Sequence, residues 1–343
     1  MSQDLGLRFA MVNPLEHRAA IVELFVADGS DRFPGHFDRV FPGEVAAGME
    51  SCVALEPGGR IVLHIARFVN RFWMDGEALT GGLTAHLIAD RPYRTLKPAV
   101  LLVRHLIAEE RSRGALDFLY TTTGPRTVPV LKLGGFAECG SAGRFVRPIS
   151  DPRLIRRGVA RIHNALLAAR LDPTRETAIG AVAALDLAVV DELLRGQDHP
   201  REPGLVPMTS RTQMARWLPH FPGDDDLIVR EIPFESHGPY VTLRLDPSSH
   251  VADVTSLNEA GLRALPRLVG ATVATLRDRG IWRLTLIAPR KSPLAKGARR
   301  AGFFERPDGA AIMGIGISRP GIAALEAVHQ WRLCASDFDG TGV

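Results

Sequence analysis

The stretch from Leu83 to Gly114, LTAHLIADRPYRTLKPAVLLVRHLIAEERSRG, constrains the fold more than any other part of the chain. Leu83 to Ala89 is an apolar run of strand length, interrupted by His86. Asp90 to Lys97 is polar and turn-rich. From Pro98 to Arg113 apolar residues return at helical spacing, with Ala99, Leu102, Val103, Leu106 and Ile107 on one face. Pro98 suits a first helical turn, where the amide hydrogen it lacks has no acceptor, and Gly114 suits the stop. A strand–loop–helix unit of this kind aims several amides and the positive end of a helix dipole at the loop. Anions bind there, phosphates above all.

The flanks extend the pattern. Leu7 to Val12 has the length of a short strand, and Pro14 to Asp28 reads as a helix capped by Asn13, with Ala20, Ile21, Leu24 and Phe25 on its apolar side. Residues 29 to 50 are rich in Gly, Pro and Phe and read as a long loop with helical fragments. Glu50 to Glu56 and Arg60 to Phe68 read as two strands joined through Pro57-Gly58-Gly59. After the central unit, Asp117 to Thr122 is strongly β-prone. A short helical segment then leads into a glycine turn, Lys132-Leu133-Gly134-Gly135-Phe136.

Two of these segments resemble the GNAT N-acyltransferases. That family carries a Q/R-x-x-G-x-G/A signature on the turn from its fourth strand into its third helix. The turn here reads Arg94-Thr95-Leu96-Lys97-Pro98-Ala99, with Lys97 where the middle glycine stands. Asp117 to Gly140 is similar to the family's fifth strand, short helix and "K-L-G-F" turn. The resemblance implies an α/β (α+β) fold of two tandem GNAT-like domains, each a twisted mixed sheet flanked by helices. It implies that Leu87, Ile88 and Ala89 on the strand, and Arg94, Thr95, Leu96, Lys97, Pro98 and Ala99 on the turn, hold acyl-CoA. The acyl-CoA is a donor substrate, and no permanently bound cofactor is expected.

The chemistry that the resemblance implies needs a base for the attacking amine, donors for the oxyanion and a fate for the thiolate. His86, on the central strand, is a candidate base, since histidine is the side chain that commonly takes up a proton near neutral pH; a hydrogen-bonded core histidine is the competing reading. His64 and Glu50, on neighbouring strands, are further catalytic candidates. Where many GNAT enzymes place a tyrosine as general acid, this chain has Leu131. Tyr93 is expected beside the phosphate loop and Tyr120 within a strand.

Arg147 to Arg157 is a basic, proline-punctuated linker, and Gly158 to Arg170, Thr174 to Arg195 and Met208 to Phe221 carry helical spacing. Strands are expected at 227–233, 240–245 and 250–257. Asn258 then caps a long helix, 281–288 is a buried strand, and 291–305 echoes the helix and "G-F" turn of the first half. Gly135-Phe136 and Gly302-Phe303 thus mark a repeated fold. The expected organisation is a GNAT domain with the acyl-CoA site over 1–148, a helical linker over 149–207 and a degenerate second copy over 208–343. Asp337 and Asp339 are acidic residues near the end of the chain; they read as a solvated tail or as contacts for an acceptor amine.

Composition limits the partners. The chain of 343 residues carries a net charge of +4, mildly basic and dispersed, which suits a phosphorylated donor and argues against a nucleic-acid partner. Three widely spaced cysteines give neither a disulfide framework nor metal-ligand spacing, so no metal is expected. No apolar run reaches bilayer length, and the expected location is the cytoplasm, with peripheral contact at the inner-membrane surface as an extension. Aromatic and basic residues interleave at Arg67, Phe68, Arg71, Phe72 and Trp73, and again at Phe33, Phe37, Arg39 and Phe41. These clusters read as ordinary core with solvated rims or, taken with Lys97 and Leu131, as signs of a long-chain acyl group and a lipid or sphingoid-base amine; the bacterial ceramide synthases, a GNAT-like branch, are the specific expectation. An acetyl-CoA-dependent enzyme for an amino sugar or small amine, and a non-catalytic acyl-CoA-binding regulator, are the alternatives.

Overall fold

The computed structural model describes residues 6–29, 37, 41, 49–149, 176–181, 206–207, 227–232, 238–246 and 248–333. The helices expected over 158–170 and 208–221, most of the 29–50 loop, and Asp337 and Asp339 lie outside them.

Strand β1 (Arg8–Val12) leads to helix α1 (Arg18–Val26). The helix begins later than expected because Asn13 closes a turn of its own. Its side chain accepts from the Leu15 amide at 3.1 Å and donates to Glu16 at 3.1 Å, so it serves a turn before the helix. Strands β2 (Met49–Leu55) and β3 (Ile61–Met74) pair antiparallel around a reversal in which Gly59 has φ +82°. β3 runs six residues past its expected end at Phe68. The chain turns through Asp75 (φ +51°) and Gly76 (φ +96°) and returns as β4 (Glu77–Ala89). An Asp-Gly pair with both residues left-handed is the two-residue turn whose twist matches paired strands.

Helix α2 (Leu96–Arg113) follows a short loop and stops at Gly114 in the left-handed conformation, φ +62°. Strand β5 (Phe118–Thr123), helix α3 (Val128–Gly134) and strand β6 (Ala137–Pro148) complete the first half. Next come strands β7 (Glu176–Ala181), β8 (Val206–Pro207), β9 (Leu227–Ile232), β10 (Tyr240–Asp246) and β11 (Val251–Leu257). The chain ends its described course as helix α4 (Glu259–Asp278), β12 (Arg283–Pro289), α5 (Pro293–Arg300), β13 (Phe304–Gly316) and α6 (Arg319–Glu326). Helical spacing over Thr174–Arg195 gives the wrong element at Glu176–Ala181. That segment pairs antiparallel with β9 from Glu176↔Ile232 to Ala181↔Leu227, and the ladder outweighs a weak local preference.

The chain forms two compact units, each assembled from several separate stretches of sequence. One comprises Met1–Phe72, Glu77–Gly140 and Ala311–Glu326; the other comprises Trp73–Gly76, Ser141–Ala310 and Ala327–Val343. The strand order in the first unit is β1-β2-β3-β4-β5 followed by the Ala311–Gly316 end of β13. In the second it is β7-β9-β10-β11-β12 followed by the Ala142–Pro148 end of β6. Among the described residues each unit has one parallel pair, β4/β5 or β11/β12, and three residue pairs define each. The strand that closes each sheet comes from the other half of the sequence.

The core of the first unit lies between the sheet and α2 and α3, where Cys52, Leu63, Leu102, Leu106, Leu119 and Leu131 are buried together. In the second, Phe145, Leu243, Val254, Leu265, Leu268 and Leu286 form the equivalent layer.

Candidate active site

Side chains on a strand alternate between faces, so the two faces of the first sheet can be assigned. On β2 the Cys52 thiol reaches the Leu102 carbonyl at 3.8 Å, which puts Glu50 and Cys52 on the α2 face and Ser51 on the opposite face. On β3 His64 packs edge-on against Phe25 of α1, with ring centroids 5.8 Å apart. His64, Phe68 and Asn70 therefore share the α1 face, whereas Arg67 points to α2.

β4 breaks this alternation. A side chain at Gly81 would strike Phe72 and Phe118, whereas one at Gly82 would strike Leu119 and Leu116. Even-numbered positions thus face α2 at this end. Beyond His86 the parity reverses, and Leu87 and Ala89 pack into the α2-side core. His86 itself sits at φ +56°, a conformation uncommon for a non-glycine residue. It is a bulge, and it turns the imidazole to the α1 face, where the ring lies 6.1 Å from Phe25 and 6.3 Å from Phe68, edge-on to both.

The bulge coincides with a parting of strands. The parallel ladder from β4 to β5 ends at Leu83↔Tyr120, although β4 runs on to Ala89 and β5 to Thr123. On its other side β4 stays joined to β3 to its end, where the Asp90 amide donates to the Val62 carbonyl at 2.8 Å. The cleft therefore opens on the β5 side of Ala85–Ala89 and leads toward the N-terminus of α2. Thr95 occupies the cap position there without a side-chain cap bond, Leu96 and Lys97 are exposed, and Pro98 and Ala99 are buried as the anchor of the helix.

A buried chain of hydrogen bonds holds the bulge. His64 is fully buried and Nδ1 lies 3.1 Å from the His86 carbonyl, while Nε2 lies 2.9 Å from Ser51 Oγ. A carbonyl only accepts, so Nδ1 carries the proton. Burial pushes the His64 pKa down to about 3, with the nearby His86 adding to the fall and the backbone bond opposing it. The ring is therefore neutral, and Nε2 accepts from the Ser51 hydroxyl.

The expected site residues separate by face. His86 and His64 come together, His86 toward the α1 side of the cleft and His64 behind it as a buried support. Glu50 is on the opposite face, tied by ion pairs to Arg67 and to Arg113 (2.5 Å), and Arg67 in turn reaches the buried Glu110 at 3.1 Å. These positive partners occupy Glu50 in an electrostatic brace between β2, β3 and α2. Arg94 stands at the loop with Nε donating to the Ala89 carbonyl at 2.9 Å and its outer nitrogen on Asp28. Tyr93 is not aimed at the loop amides; its hydroxyl donates to Glu56 at 3.2 Å. Leu131 is buried in the core, and Tyr120 lies in its strand as expected. Ser51 and Asn70 escape a reading of the sequence, since a lone polar residue in an apolar strand announces no partner.

The second unit keeps the parting strands but not the open helix end. β11 leads directly to Asn258, whose side chain accepts from the Gly261 amide at 2.7 Å and from the Tyr240 amide at 3.3 Å. The start of α4 is thereby closed by its own cap, and the Gly261 backbone lies against the Tyr240 carbonyl.

Element order, parallel strands that part at a bulge, and a helix beginning beside that opening define a GNAT-like fold, present in two tandem copies. The sequence matches no protein-family model and no curated protein. Solved structures agree with the fold. A GCN5-related N-acetyltransferase from Kribbella flavida is similar at a TM-score of 0.60 and 14% identity, over 93% of this chain and 74% of that one. The N-myristoyltransferase of Saccharomyces cerevisiae, solved with myristoyl-CoA, is similar at a TM-score of 0.57 and 9% identity, over 92% and 84%. A tandem GNAT protein from the clavulanic acid biosynthesis pathway is similar at a TM-score of 0.52 and 11% identity, over 91% and 99%. At these identities the likeness is one of fold.

Proposed function

We propose that this protein is an acyl-CoA-dependent N-acyltransferase whose active site lies in the first unit. The observation that carries the reading is the cleft itself: β4 parts from β5, bulges at His86 and runs to a helix end without a side-chain cap. In this reading the donor's pyrophosphate binds at Arg94–Ala99, drawn by the α2 amides, the helix dipole and the Lys97 ammonium. Lys97 there supplies a charge where a glycine would supply backbone freedom. The pantetheine arm lies along Leu87, Ile88 and Ala89 as an added strand.

His86 takes a proton from the attacking nitrogen as the new N–C bond forms, and backbone amides of the bulge receive the oxyanion. Collapse of the intermediate breaks the C–S bond. With Leu131 in the place of a hydroxyl donor, the sulfur departs as a thiolate, which a thiol pKa near 8.5 permits. His64 and Ser51 act as positioning residues by fixing the His86 carbonyl. The second unit, its helix end closed by Asn258, serves as a partner without a donor site.

The lipid or sphingoid-base amine draws no support from the aromatic–basic cluster that suggested it. Phe68, Phe72 and Arg67 are interior, as are Phe37 and Phe41. Among the described residues no helix is long and apolar enough to cross a membrane. The acceptor is an amine that reaches His86 from the α1 face.

Release of free thiol from acetyl-CoA, measured with a panel of primary amines, tests the reading. Amine-dependent release should fall by about 10²-fold or more in His86→Ala, the usual scale for a lost general base. Release that His86→Ala leaves unchanged would remove His86 from the mechanism, and failure of the protein to bind coenzyme A would sink the whole assignment.

A further inference from the structure

The cleft ends where β4 and β5 rejoin, and what stands there decides how large an acyl group it can admit. From Ala89 to Leu83 is six residues of strand, roughly 20 Å at about 3.3 Å per residue. A donor whose arm lies along Leu87–Ala89 puts its thioester at the His86 bulge, about half-way, so roughly 10 Å of strand separates it from the Leu83↔Tyr120 junction. Beyond the junction the acyl chain must leave the plane of the sheet toward one face.

Among the described residues, neither face offers it room. On the α1 side Tyr120, Phe72 and Phe118 are all fully buried, with ring centroids 5.5–5.7 Å apart. Their packing is tight enough that a Cβ on Gly81 would lie 2.6 Å from Phe72 and 2.7 Å from Phe118. On the α2 side a Cβ on Gly82 would meet Leu119 at 2.6 Å and Leu116 at 2.7 Å. Tyr120 is also pinned by chemistry. Asn70, itself buried, donates its side-chain amide to the phenol oxygen at 2.7 Å. Swinging the ring aside would break a hydrogen bond in an apolar layer, where an unmade bond is costly.

We infer that Tyr120, braced by Asn70, limits the length of the acyl group, so that the cleft accepts donors whose chains end short of the junction and excludes longer ones. The inference rests on the reading of this cleft as an acyl-CoA site. It makes Tyr120 a specificity-determining residue on β5, in a position that the loop and bulge do not reveal.

Equilibrium binding of coenzyme A and its acetyl, butanoyl, octanoyl and dodecanoyl thioesters tests it without an acceptor. The wild-type protein should bind coenzyme A, acetyl-CoA and butanoyl-CoA alike and the dodecanoyl thioester about tenfold more weakly or worse, since forcing methylenes into a filled core is unfavourable. Tyr120→Ala should recover dodecanoyl-CoA to within a few-fold of coenzyme A and leave coenzyme A binding unchanged. Tyr120→Phe, which keeps the ring and frees it from Asn70, should fall between. Equal binding of every chain length by the wild-type protein would overturn the inference even if Tyr120→Ala fails to fold, and so would a folded Tyr120→Ala that still rejects dodecanoyl-CoA. No binding of coenzyme A itself would instead overturn the donor-site reading, and the inference with it.

Discussion

His64 shows how burial converts an ordinary titratable side chain into a structural one. Enclosed between Ser51, the His86 carbonyl and Phe25, it stays neutral with its pKa at about 3 against an ordinary 6.5. Between those values the unfolded chain binds a proton at this residue and the folded chain does not. Stability therefore rises with pH across that interval. The contribution is fully present above 6.5 and is lost progressively as the pH falls toward 3, to a total of several kcal/mol. Denaturant unfolding of the wild type and of His64→Phe between pH 7 and pH 4 measures it. The wild type should lose stability more steeply on acidification than the variant, and parallel curves would show that His64 is not the titrating group. The same logic explains Cys52, whose thiol burial pushes up to about 12 on the α2 face. It is a packed apolar group there and no nucleophile.

At the scale of elements, the two strand–helix units diverge in their connecting loops. In the first copy six residues, Asp90–Thr95, separate β4 from α2, and the helix end carries no side-chain cap. In the second, Asn258 is the single residue between β11 and α4 and fills the cap itself. Close packing enforces the difference, because a Cβ on Gly261 would lie 2.1 Å from the Tyr240 carbonyl oxygen. Gly261→Ala should thus cost about 1–3 kcal/mol, the range for overpacking against atoms that cannot turn aside. Gly58→Ala, with nothing within 4 Å of the added carbon, should be close to neutral. Thermal denaturation of the two variants provides the comparison, and equal melting temperatures would contradict the close contact.

For the whole molecule the decisive feature is that each sheet is closed by a strand from the other half of the sequence. Ala311–Gly316 pairs with β5 from Ala311↔Thr123 to Gly316↔Phe118. Ala142–Pro148 pairs with β12 from Ala142↔Pro289 to Pro148↔Arg283. A chain that stops at residue 303 keeps β5 but removes its partner, leaving an apolar strand edge open to association. Such a truncation should lose cooperative thermal unfolding and run as aggregate in size-exclusion chromatography. A monomeric product with a sharp melt would show that the first unit folds without β13.

Local pattern alone was enough for much of this. Helix α2 was legible from its 3.6-residue periodicity, Pro98 and Gly114. Asn258 was legible as a cap, and the glycine turns before Phe136 and Phe303 as marks of a repeat. These signals are local because helix caps and tight turns satisfy their backbone groups within a few residues. Even one local signal passed unread, the Asp75-Gly76 turn, since the mixed charged and aromatic residues before it look like a surface cluster. The face on which Glu50, His64 and His86 lie, the bulge that re-aims His86, the strand at Glu176–Ala181 and the Asn70–Tyr120 bond were settled only by tertiary structure. Each depends on partners distant in sequence, and a period of two fixes which residues share a face without saying what that face meets. The sequence determined the elements and their repetition; the pairing of distant strands decided which polar side chains were brought to the cleft and which were spent in the core.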